Sequence, residues 1–280
     1  MINSTNPLLR ARNAAEASSD DSQERNRQWW ERLPMTYADW GADNRLPETA
    51  EDFLRVEEIL LGASPYLRER YDFLQTSGKR MLEIGCGTGA LTCRFAREGT
   101  EITAIDITEA AVAMARRNAK IQNLTIDIRQ ADAEHLDFPD HSFDYVFSWG
   151  VLHHTSNMEQ AFKEVSRILK PGGRGLTMVY YRNSIAYYIH GLYWLLLKGK
   201  VFKGDTINNV QRHYTDGYHH RYLTRSDMKN LLSSVGLTTK ALTVTQYQKK
   251  ILPMMPHSID EFLKDRFGMC LIAEFEKPRN

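Results

Sequence analysis

The pattern of hydrophobic and polar positions becomes regular near Thr49. Residues 49–62 combine Thr49 as an N-cap, Asp52 in the first turn, apolar positions at helical spacing and Gly62 as a stop, and they predict a helix. Short β-rich runs then alternate with helical patterns up to Tyr181. This alternation predicts βαβ crossovers and a mostly parallel sheet with helices on both faces.

A long interruption follows the alternating region. Residues 182–222 lack the alternation, and we interpret them as an insertion after the fifth strand. Beyond the insertion, Thr224 and Gly236 bound another helix, and Ser258 and Glu261 have the spacing of a capping box at the start of a further one. Two more β-rich runs complete a predicted sheet of seven strands.

The composition is that of an ordinary globular protein with one large domain. Hydrophobic residues are 42% and charged residues 25% of the 280, which is enough for a sizeable core. The net charge of +1 gives no broad cationic field for nucleic acid or an anionic membrane. Cys86, Cys93 and Cys270 form no C-x-x-C pair, which argues against a disulfide framework or a zinc site. We expect a cytoplasmic protein, because the first residues also lack the apolar run of a secretory signal.

The sharpest chemical signal is the sequence LEIGCGTGA at residues 82–90, between the first strand and its helix. Gly85, Gly87 and Gly89 remove side chains where the backbone must turn tightly and approach a ligand. The helix that begins near Ala90 points free N–H groups toward the same place. This spacing also satisfies the dinucleotide fingerprint, so the glycines alone leave NAD and other nucleotides open.

Three acidic residues near the loop narrow this choice. Glu83, two residues before the first glycine, suits a cationic amino acid group and opposes a pyrophosphate, which disfavours NAD. Asp106 ends the second strand at about the 20-residue offset from Gly85 at which an acid reaches ribose hydroxyls. Asp132 follows the third strand. Each of the last two also has a structural interpretation, Asp106 as a cap of the next helix and Asp132 as ordinary loop chemistry.

These features resemble the class I S-adenosylmethionine (SAM)-dependent methyltransferases when the motifs FDYVFS, VLHHT and LKPGG are added in order. The resemblance covers residues 79–181 and is strongest to the small-molecule branch with the ubiquinone and menaquinone methyltransferases. It implies an α/β, Rossmann-like fold with an N-terminal lid and an inserted cap, and SAM as the cofactor. The domain organisation that follows is a disordered tail over residues 1–24, an aromatic lid over 25–48 and a methyltransferase domain over 49–280, with the substrate cap at 182–222.

The resemblance also implies the cofactor-binding residues. In the family, the glycine loop contacts the methionine part of SAM, the second-strand acid holds the ribose hydroxyls and the third-strand acid meets the adenine amine. Ile107 would pack on the adenine, and Ser148 and Trp149 would border the sulfonium side. The full set is Glu83, Gly85, Cys86, Gly87, Thr88, Gly89, Asp106, Ile107, Asp132, Ala133, Ser148 and Trp149.

His153 and His154 follow the fourth strand at its carboxyl end, where open parallel sheets bind ligands. A phenol or protonated amine acceptor would need a base, and histidine suits that role near neutral pH. A packing role for the pair is an equal alternative. Tyr37, within the aromatic run at residues 28–41, is the predicted lid residue nearest the methyl group.

Other aromatic and histidine residues are predicted to contact the acceptor. Trp30 and Trp40 would form chamber walls and exclude water, or would pack the first helix on the core. Tyr187, His213 and Tyr214 would contribute from the insertion. No metal site is expected, because the histidine cluster there lacks cysteine partners and a helical H-x-x-x-H spacing.

We therefore predict a methyltransferase that uses in-line displacement to methylate O, N or C of a small, partly apolar or aromatic metabolite. Nucleic acid is not expected as a substrate. One alternative is a quinone or lipid methyltransferase at a membrane surface, because residues 185–197 are apolar and lysines flank them. We favour a cap packed over the domain for this segment. Another alternative is a SAM-fold protein without methyl transfer, such as a cyclase-like catalyst or a regulatory subunit. The sequence makes no prediction of oligomeric state.

Overall fold

The computed structural model describes residues 19–32, 46–207, 210–211, 220–246 and 256–279. The α-helices are α1 (Ser19–Arg32), α2 (Ala50–Ala63), α3 (Ala90–Arg97), α4 (Glu109–Ile121), α5 (Met158–Ile168), α6 (Ile185–Leu192), α7 (Arg225–Ser234) and α8 (His257–Phe267). The strands are β1 (Arg80–Ile84), β2 (Glu101–Asp106), β3 (Asp127–Gln130), β4 (Phe143–Trp149), β5 (Leu169–Tyr181), β6 (Tyr222–Leu223), β7 (Thr238–Thr245) and β8 (Cys270–Glu276). Short 3-10 or π-helical turns occupy Tyr66–Arg70, Phe73–Thr76, Leu152–His154, Tyr193–Leu197 and Lys200–Lys203.

The described strands form one sheet in the order β3-β2-β1-β4-β5-β8-β7. The pairs from β3 to β5 are parallel, and β8 runs antiparallel to both β5 and β7. The predicted Rossmann-like α/β class is confirmed. The predicted strand number is too low, because Tyr222 and Leu223 add an eighth strand beside the end of β5, at Tyr180 and Tyr181. A two-residue pairing is too short to leave a periodic signal in the sequence.

Both faces of the central strands are covered by helices, which makes these strands nearly continuous in apolar character. Met81 on β1 and Tyr145 on β4 face the layer that contains α2 and α3. Leu82 and Val146, their neighbours in sequence, face the layer with α5 and α7. The carboxyl ends of β1, β2, β4 and β5 therefore meet at one edge of a sheet that is packed from both sides.

The caps of two predicted helices are confirmed and one is not. Thr49 and Asp52 form a reciprocal capping box at the start of α2, and Thr224 caps α7 in the same way. The capping box predicted at Ser258 is wrong, because the N-cap of α8 is Pro256, two residues earlier, and it makes no side-chain cap. Ser258 thus lies inside the first turn of the helix.

The start of the chain differs from its prediction. Helix α1 begins at Ser19, so residues 19–24 are helical although they were assigned to the disordered tail. Residues 1–18 and 33–45 lie outside the described residues, as do the lid residues Tyr37 and Trp40. Among the described helices, none combines the length and the apolar character needed to cross a membrane.

Candidate active site

The glycine loop joins β1 to α3 and has left-handed backbone at all three glycines. The φ angles are +83° at Gly85, +52° at Gly87 and +73° at Gly89. A Cβ on Gly85 would lie 2.1 Å from a methyl carbon of Val151, and a Cβ on Gly89 would lie 2.9 Å from Ala115. A Cβ on Gly87 would meet nothing within 4 Å. Two glycines therefore allow close packing, and Gly87 faces open space that a ligand can use.

Glu83 is buried near the end of β1, one strand away from Asp106. Its carboxylate accepts a hydrogen bond from the Thr92 hydroxyl of α3. Burial raises the pKa of Glu83 to about 8, the bond from Thr92 opposes this shift, and the charge of Asp106 adds to it. A cationic group next to Glu83 would restore the ionised form.

Asp106 connects the glycine loop to the start of α4. Its Oδ2 atom accepts the Gly87 N–H at 3.1 Å, and its Oδ1 atom accepts the backbone N–H and the hydroxyl of Thr108 at 3.0 and 2.9 Å. Burial raises the pKa of Asp106, and the bonds from Thr108 and Gly87 lower it. The cap of α4 is Thr108, whose hydroxyl accepts the Ala111 N–H. Asp106 is therefore not the helix cap and lies against the ligand-facing glycine.

A cleft of about 610 Å³ opens beside these residues, within the size range of small-molecule sites, about 300–1,000 Å³. Ile107 and Asp132, the two residues predicted to contact the adenine, both line the cleft. The Asp132 Oδ1 atom accepts the Glu134 N–H at 2.9 Å and the side-chain amide of Gln23 at 2.9 Å. Gln23, Glu24 and Arg27 of α1 form the opposite wall. Helix α1 thus lines the same cleft as Ile107 and Asp132.

Three residues of the predicted cofactor set have side chains that point elsewhere. Cys86 is buried in a cluster with residues of α3 and α4, and burial raises the pKa of its thiol well above the usual value. Ala133 packs in the main core, and the Ser148 hydroxyl donates to the Ile84 carbonyl at 3.2 Å.

Two other predicted residues keep polar atoms without a protein partner within the described part of the chain. The Thr88 hydroxyl, directly after Gly87, is buried and makes no hydrogen bond there. The buried indole N–H of Trp149 also lacks one, while its ring stacks on Tyr66 and Phe147. Buried polar atoms are usually paired, so these two are open positions for a ligand.

The histidine pair lies under α1 at the carboxyl edge. His153 is fully buried, and its ring centre lies 4.1 Å from that of His154 and 4.2 Å from that of Tyr180. Neither ring nitrogen of His153 has a hydrogen-bond partner among the described residues. Burial lowers the pKa of His153 well below its usual value, and the charges of His154, His220 and Arg221 lower it further. His153 is therefore neutral at physiological pH, and one of its two ring nitrogens carries no proton.

Helix α1 is attached to this edge by polar side chains. The Asn26 amide donates to the His154 carbonyl at 2.9 Å, and the Gln23 carbonyl oxygen accepts the Ser156 N–H at 3.1 Å. Glu31 accepts two backbone N–H groups in the first turn of α4, at 3.1 and 3.2 Å. Trp30, a predicted chamber wall, lies edge-on to His154 with ring centres 5.1 Å apart.

Sequence reasoning missed Gln23, Asn26 and Glu31. Gln23 and Asn26 are buried, and with Trp30 they follow the three- and four-residue spacing of one helical face. Because two of these buried positions are polar amides, a search for apolar periodicity does not detect this helical face. The spacing of Trp30 with two amide residues was the available signal.

Residues of the insertion complete the surroundings of His153. Tyr187 of α6 is buried, and its ring lies 4.8 Å from that of Tyr222, which lies 5.5 Å from that of Tyr180. His220 is buried with Nε2 2.7 Å from the Gln211 carbonyl. The predicted contacts His213 and Tyr214 lie outside the described residues. Within the described ranges, no three His, Cys, Asp or Glu side chains group as metal ligands would.

Comparison with known proteins locates a family domain in the same part of the chain. A family model described as a methyltransferase domain matches residues 82–177. The demethylmenaquinone methyltransferase of Tropheryma whipplei is 40% identical over 100 residues, which are 35% of this chain and 41% of that protein. The SAM-dependent Diels-Alderase iccD of Talaromyces variabilis is 39% identical over 102 residues, or 35% of each chain. The chain thus spans less than half the length of these curated relatives.

Similarity of fold extends further than similarity of sequence. The crystal structure of the [4+2]-cyclase SpnF matches with a TM-score of 0.58 over 92% of this chain and 97% of that one. The sequence identity of 16% limits this match to the fold. The matched domain holds the glycine loop, Asp106 and the histidine pair. Residues 82–177 are accordingly similar to a methyltransferase domain, and this similarity implies SAM as the cofactor.

Proposed function

We propose that the chain transfers the methyl group of SAM to O, N or C of a small, partly apolar or aromatic acceptor. The observation that carries the proposal is the meeting of Gly87, Asp106 and Glu83 at one edge. Gly87 leaves open space, Asp106 holds the Gly87 N–H, and Glu83 has a raised pKa that a cation would lower.

The described residues fit the chemistry of SAM. Its ammonium group suits Glu83, its ribose hydroxyls suit the acceptor oxygens of Asp106, and its adenine amine suits Asp132. The unpaired hydroxyl of Thr88 offers one more polar contact beside the loop. When bound, SAM supplies a methyl group on positively charged sulfur, and an acceptor attacks it in line and leaves S-adenosylhomocysteine.

We propose His153 as the base for this reaction. An O–H or N–H acceptor loses its proton as its oxygen or nitrogen bonds to the methyl carbon, and a ring nitrogen of His153 takes that proton. The lowered pKa keeps the ring neutral, so no prior deprotonation is needed. His154 lies beside it, its backbone carbonyl accepts a hydrogen bond from Asn26 and its ring packs edge-on against Trp30, and we assign it a positioning role.

Aromatic rings around His153 support a planar or apolar acceptor. Tyr180 contacts His153, and Trp30 contacts His154 from α1. Tyr187 reaches the same group through Tyr222. Stacking on such rings and exclusion of water favour an aromatic substrate. Tyr37, Trp40, His213 and Tyr214 remain predicted members of this chamber.

Turnover provides the test of this function. The chain is incubated with SAM and a panel of phenols, quinols and aromatic amines, and S-adenosylhomocysteine and methylated product are quantified by mass spectrometry. We expect equal amounts of both with an accepted substrate. His153→Asn should lower kcat by about 100-fold with S-adenosylhomocysteine affinity unchanged, since a general base contributes about 10²–10⁴-fold. Equal kcat in wild type and His153→Asn would remove the base role.

A second candidate is a SAM-fold catalyst of cycloaddition that does not consume SAM. The Diels-Alderase relative and the fold match to a [4+2]-cyclase favour it, and the latter covers nearly all of this chain. The same incubation with a diene–dienophile substrate separates the two candidates. If that substrate is consumed and no S-adenosylhomocysteine forms, cyclisation replaces methyl transfer as the proposed function.

The cytoplasm remains our proposed compartment. It rests on the cysteine pattern, and the described cysteines Cys86, Cys93 and Cys270 are buried and form no disulfide bond. Labelling of intact and disrupted cells with an antibody to the chain would test the location.

A further inference from the structure

The inserted segment presents an apolar surface to solvent. We call it the cap face, and it consists of Tyr188, Ile189, Leu192, Tyr193, Leu196, Leu197, Val201 and Phe202. Leu197 is 78% exposed and Phe202 is 91% exposed. The first six residues form three adjacent pairs, at positions 188/189, 192/193 and 196/197. Because the pairs are four residues apart, they lie on one side of the helical segment 185–197. Exposed apolar patches of this kind usually mark an interaction site.

The opposite side of the segment is already attached to the domain. Tyr187 and Gly191 are buried, and the Gln211 side-chain amide donates to the Tyr187 carbonyl at 2.5 Å. A Cβ on Gly191 would lie 2.8 Å from a side-chain methyl of Ile207, so this side chain packs closely on the backbone of α6. This attachment fixes the orientation of α6, and the cap face consequently points away from the domain.

The charge around the cap face has one sign. Lys198, Lys200 and Lys203 flank the last apolar positions of the cap face, and residues 183–204 contain no Asp or Glu. The Lys198 ammonium lies 5.7 Å from the centre of the Tyr193 ring, which places charge directly at the border of the apolar surface. An apolar face bordered by lysines is complementary to acyl chains below anionic headgroups.

We infer that the cap face docks on an anionic lipid bilayer. The helical segment is too short to span the hydrocarbon core, which takes about 20 residues, so it would lie along the surface. Tyr187 on its inner side leads through Tyr222 and Tyr180 to His153. One part of the inference rests on the proposed function: the bilayer would supply a lipophilic methyl acceptor.

A second copy of the chain fits the cap face less well. A symmetric dimer through this surface would bring the lysines of both copies, Lys198, Lys200 and Lys203, to the same interface. Like charges across an interface oppose association. The bilayer satisfies both the apolar face and the charge.

Vesicle flotation of the full chain tests the docking. The vesicles are phosphatidylcholine alone, or phosphatidylcholine and phosphatidylglycerol in equal parts. We expect wild type to float with the anionic vesicles. Leu197→Glu/Phe202→Glu should lower binding by at least about ten-fold, because two apolar side chains lose their place in the bilayer. Lys198→Gln/Lys200→Gln/Lys203→Gln should lower it roughly 100-fold, on anionic vesicles only.

The matched control is Leu74→Glu/Phe262→Glu, which changes two other exposed apolar residues, 61% and 57% exposed. It should float as wild type does. No flotation of wild type, or equal loss in control and cap-face variants, would overturn the docking. So would a dimer in sedimentation equilibrium that Leu197→Glu/Phe202→Glu dissociates, since the face would then be a self-contact. Titration with S-adenosylhomocysteine is independent of this surface, so its failure would affect only the proposed function.

Discussion

The cofactor edge of the sheet and the elements that cover it are built on different principles. At the edge, the site is formed mainly by backbone. Gly85, Gly87 and Gly89 have left-handed backbone conformations, and Asp106 accepts hydrogen bonds from backbone N–H groups. In the covering helix α1, the contacts are made by side chains. Its side-chain amides donate to Asp132 and to the His154 carbonyl, which lie more than a hundred residues away in the sequence. A change of backbone geometry should therefore have larger effects than removal of a covering contact.

The largest effect is expected from Gly85→Ala. The new Cβ would lie 2.1 Å from Val151 in a left-handed conformation, and we expect the free energy of unfolding to fall by about 3 kcal/mol or more. Chemical denaturation measures this change. Val151→Ala in the same chain should restore part of the loss, and no recovery in the double variant would show that crowding by Val151 is not the cause.

Gly87→Ala is the matched control for that variant. It has the same chemistry and left-handed strain, but open space around the Cβ, so we expect only about 1 kcal/mol of lost stability. Its S-adenosylhomocysteine affinity should nevertheless fall, because the methyl group enters the space assigned to the ligand. Unchanged affinity would move the ligand away from Gly87.

Asp106→Asn should lower S-adenosylhomocysteine affinity by about 100-fold with a smaller change in stability. Both carboxylate oxygens of Asp106 accept hydrogen bonds from N–H or O–H groups. The side-chain amide of the asparagine would place its NH₂ group against the N–H of Gly87 or of Thr108, where two donors would face each other. Calorimetry measures the affinity. Asp127→Asn, an exposed strand residue paired with Arg129, is the control and should bind normally.

Glu83 should make cofactor binding depend on pH. The pKa of the Glu83 carboxyl is about 8 in the folded protein and about 4.5 in the unfolded chain. Between these pH values the folded protein therefore holds one more proton than the unfolded chain, and the free energy of unfolding falls as the pH rises. An ammonium group next to Glu83 favours the ionised form, and S-adenosylhomocysteine affinity should rise about ten-fold per pH unit up to about pH 8. Glu83→Gln should abolish this slope, whereas an equal slope in both proteins would assign it to another group.

The smallest effect is expected from the cover. Gln23→Ala/Asn26→Ala removes the bonds to Asp132 and His154, and we expect faster hydrogen exchange in α1 with about 0.5–1 kcal/mol less local stability. The core strands should exchange as before. Gln28→Ala, whose side chain is exposed and bonds to Glu24 of the same helix, is the control. Equal exchange in both variants would show that α1 is held by other contacts.

The same contrast explains which parts of the molecule were predictable from the sequence. The glycine loop and Asp106 were predictable because positive-φ turns select glycine and parallel strands end at a common edge. Gln23 and Asn26 were not, because amides on a buried helical face leave no apolar period and their partners are distant in the chain. Strand β6 depends on pairing at Tyr222 that exists only in the assembled fold.

Calorimetric titration with S-adenosylhomocysteine, with NAD as the comparison ligand, is the decisive measurement for a cofactor site built on this sheet edge. We predict saturable binding of S-adenosylhomocysteine, weakened in Asp106→Ala, and no binding of NAD. A folded chain that binds NAD, or that binds S-adenosylhomocysteine equally well without the Asp106 carboxylate, would contradict the assignment of this edge to SAM.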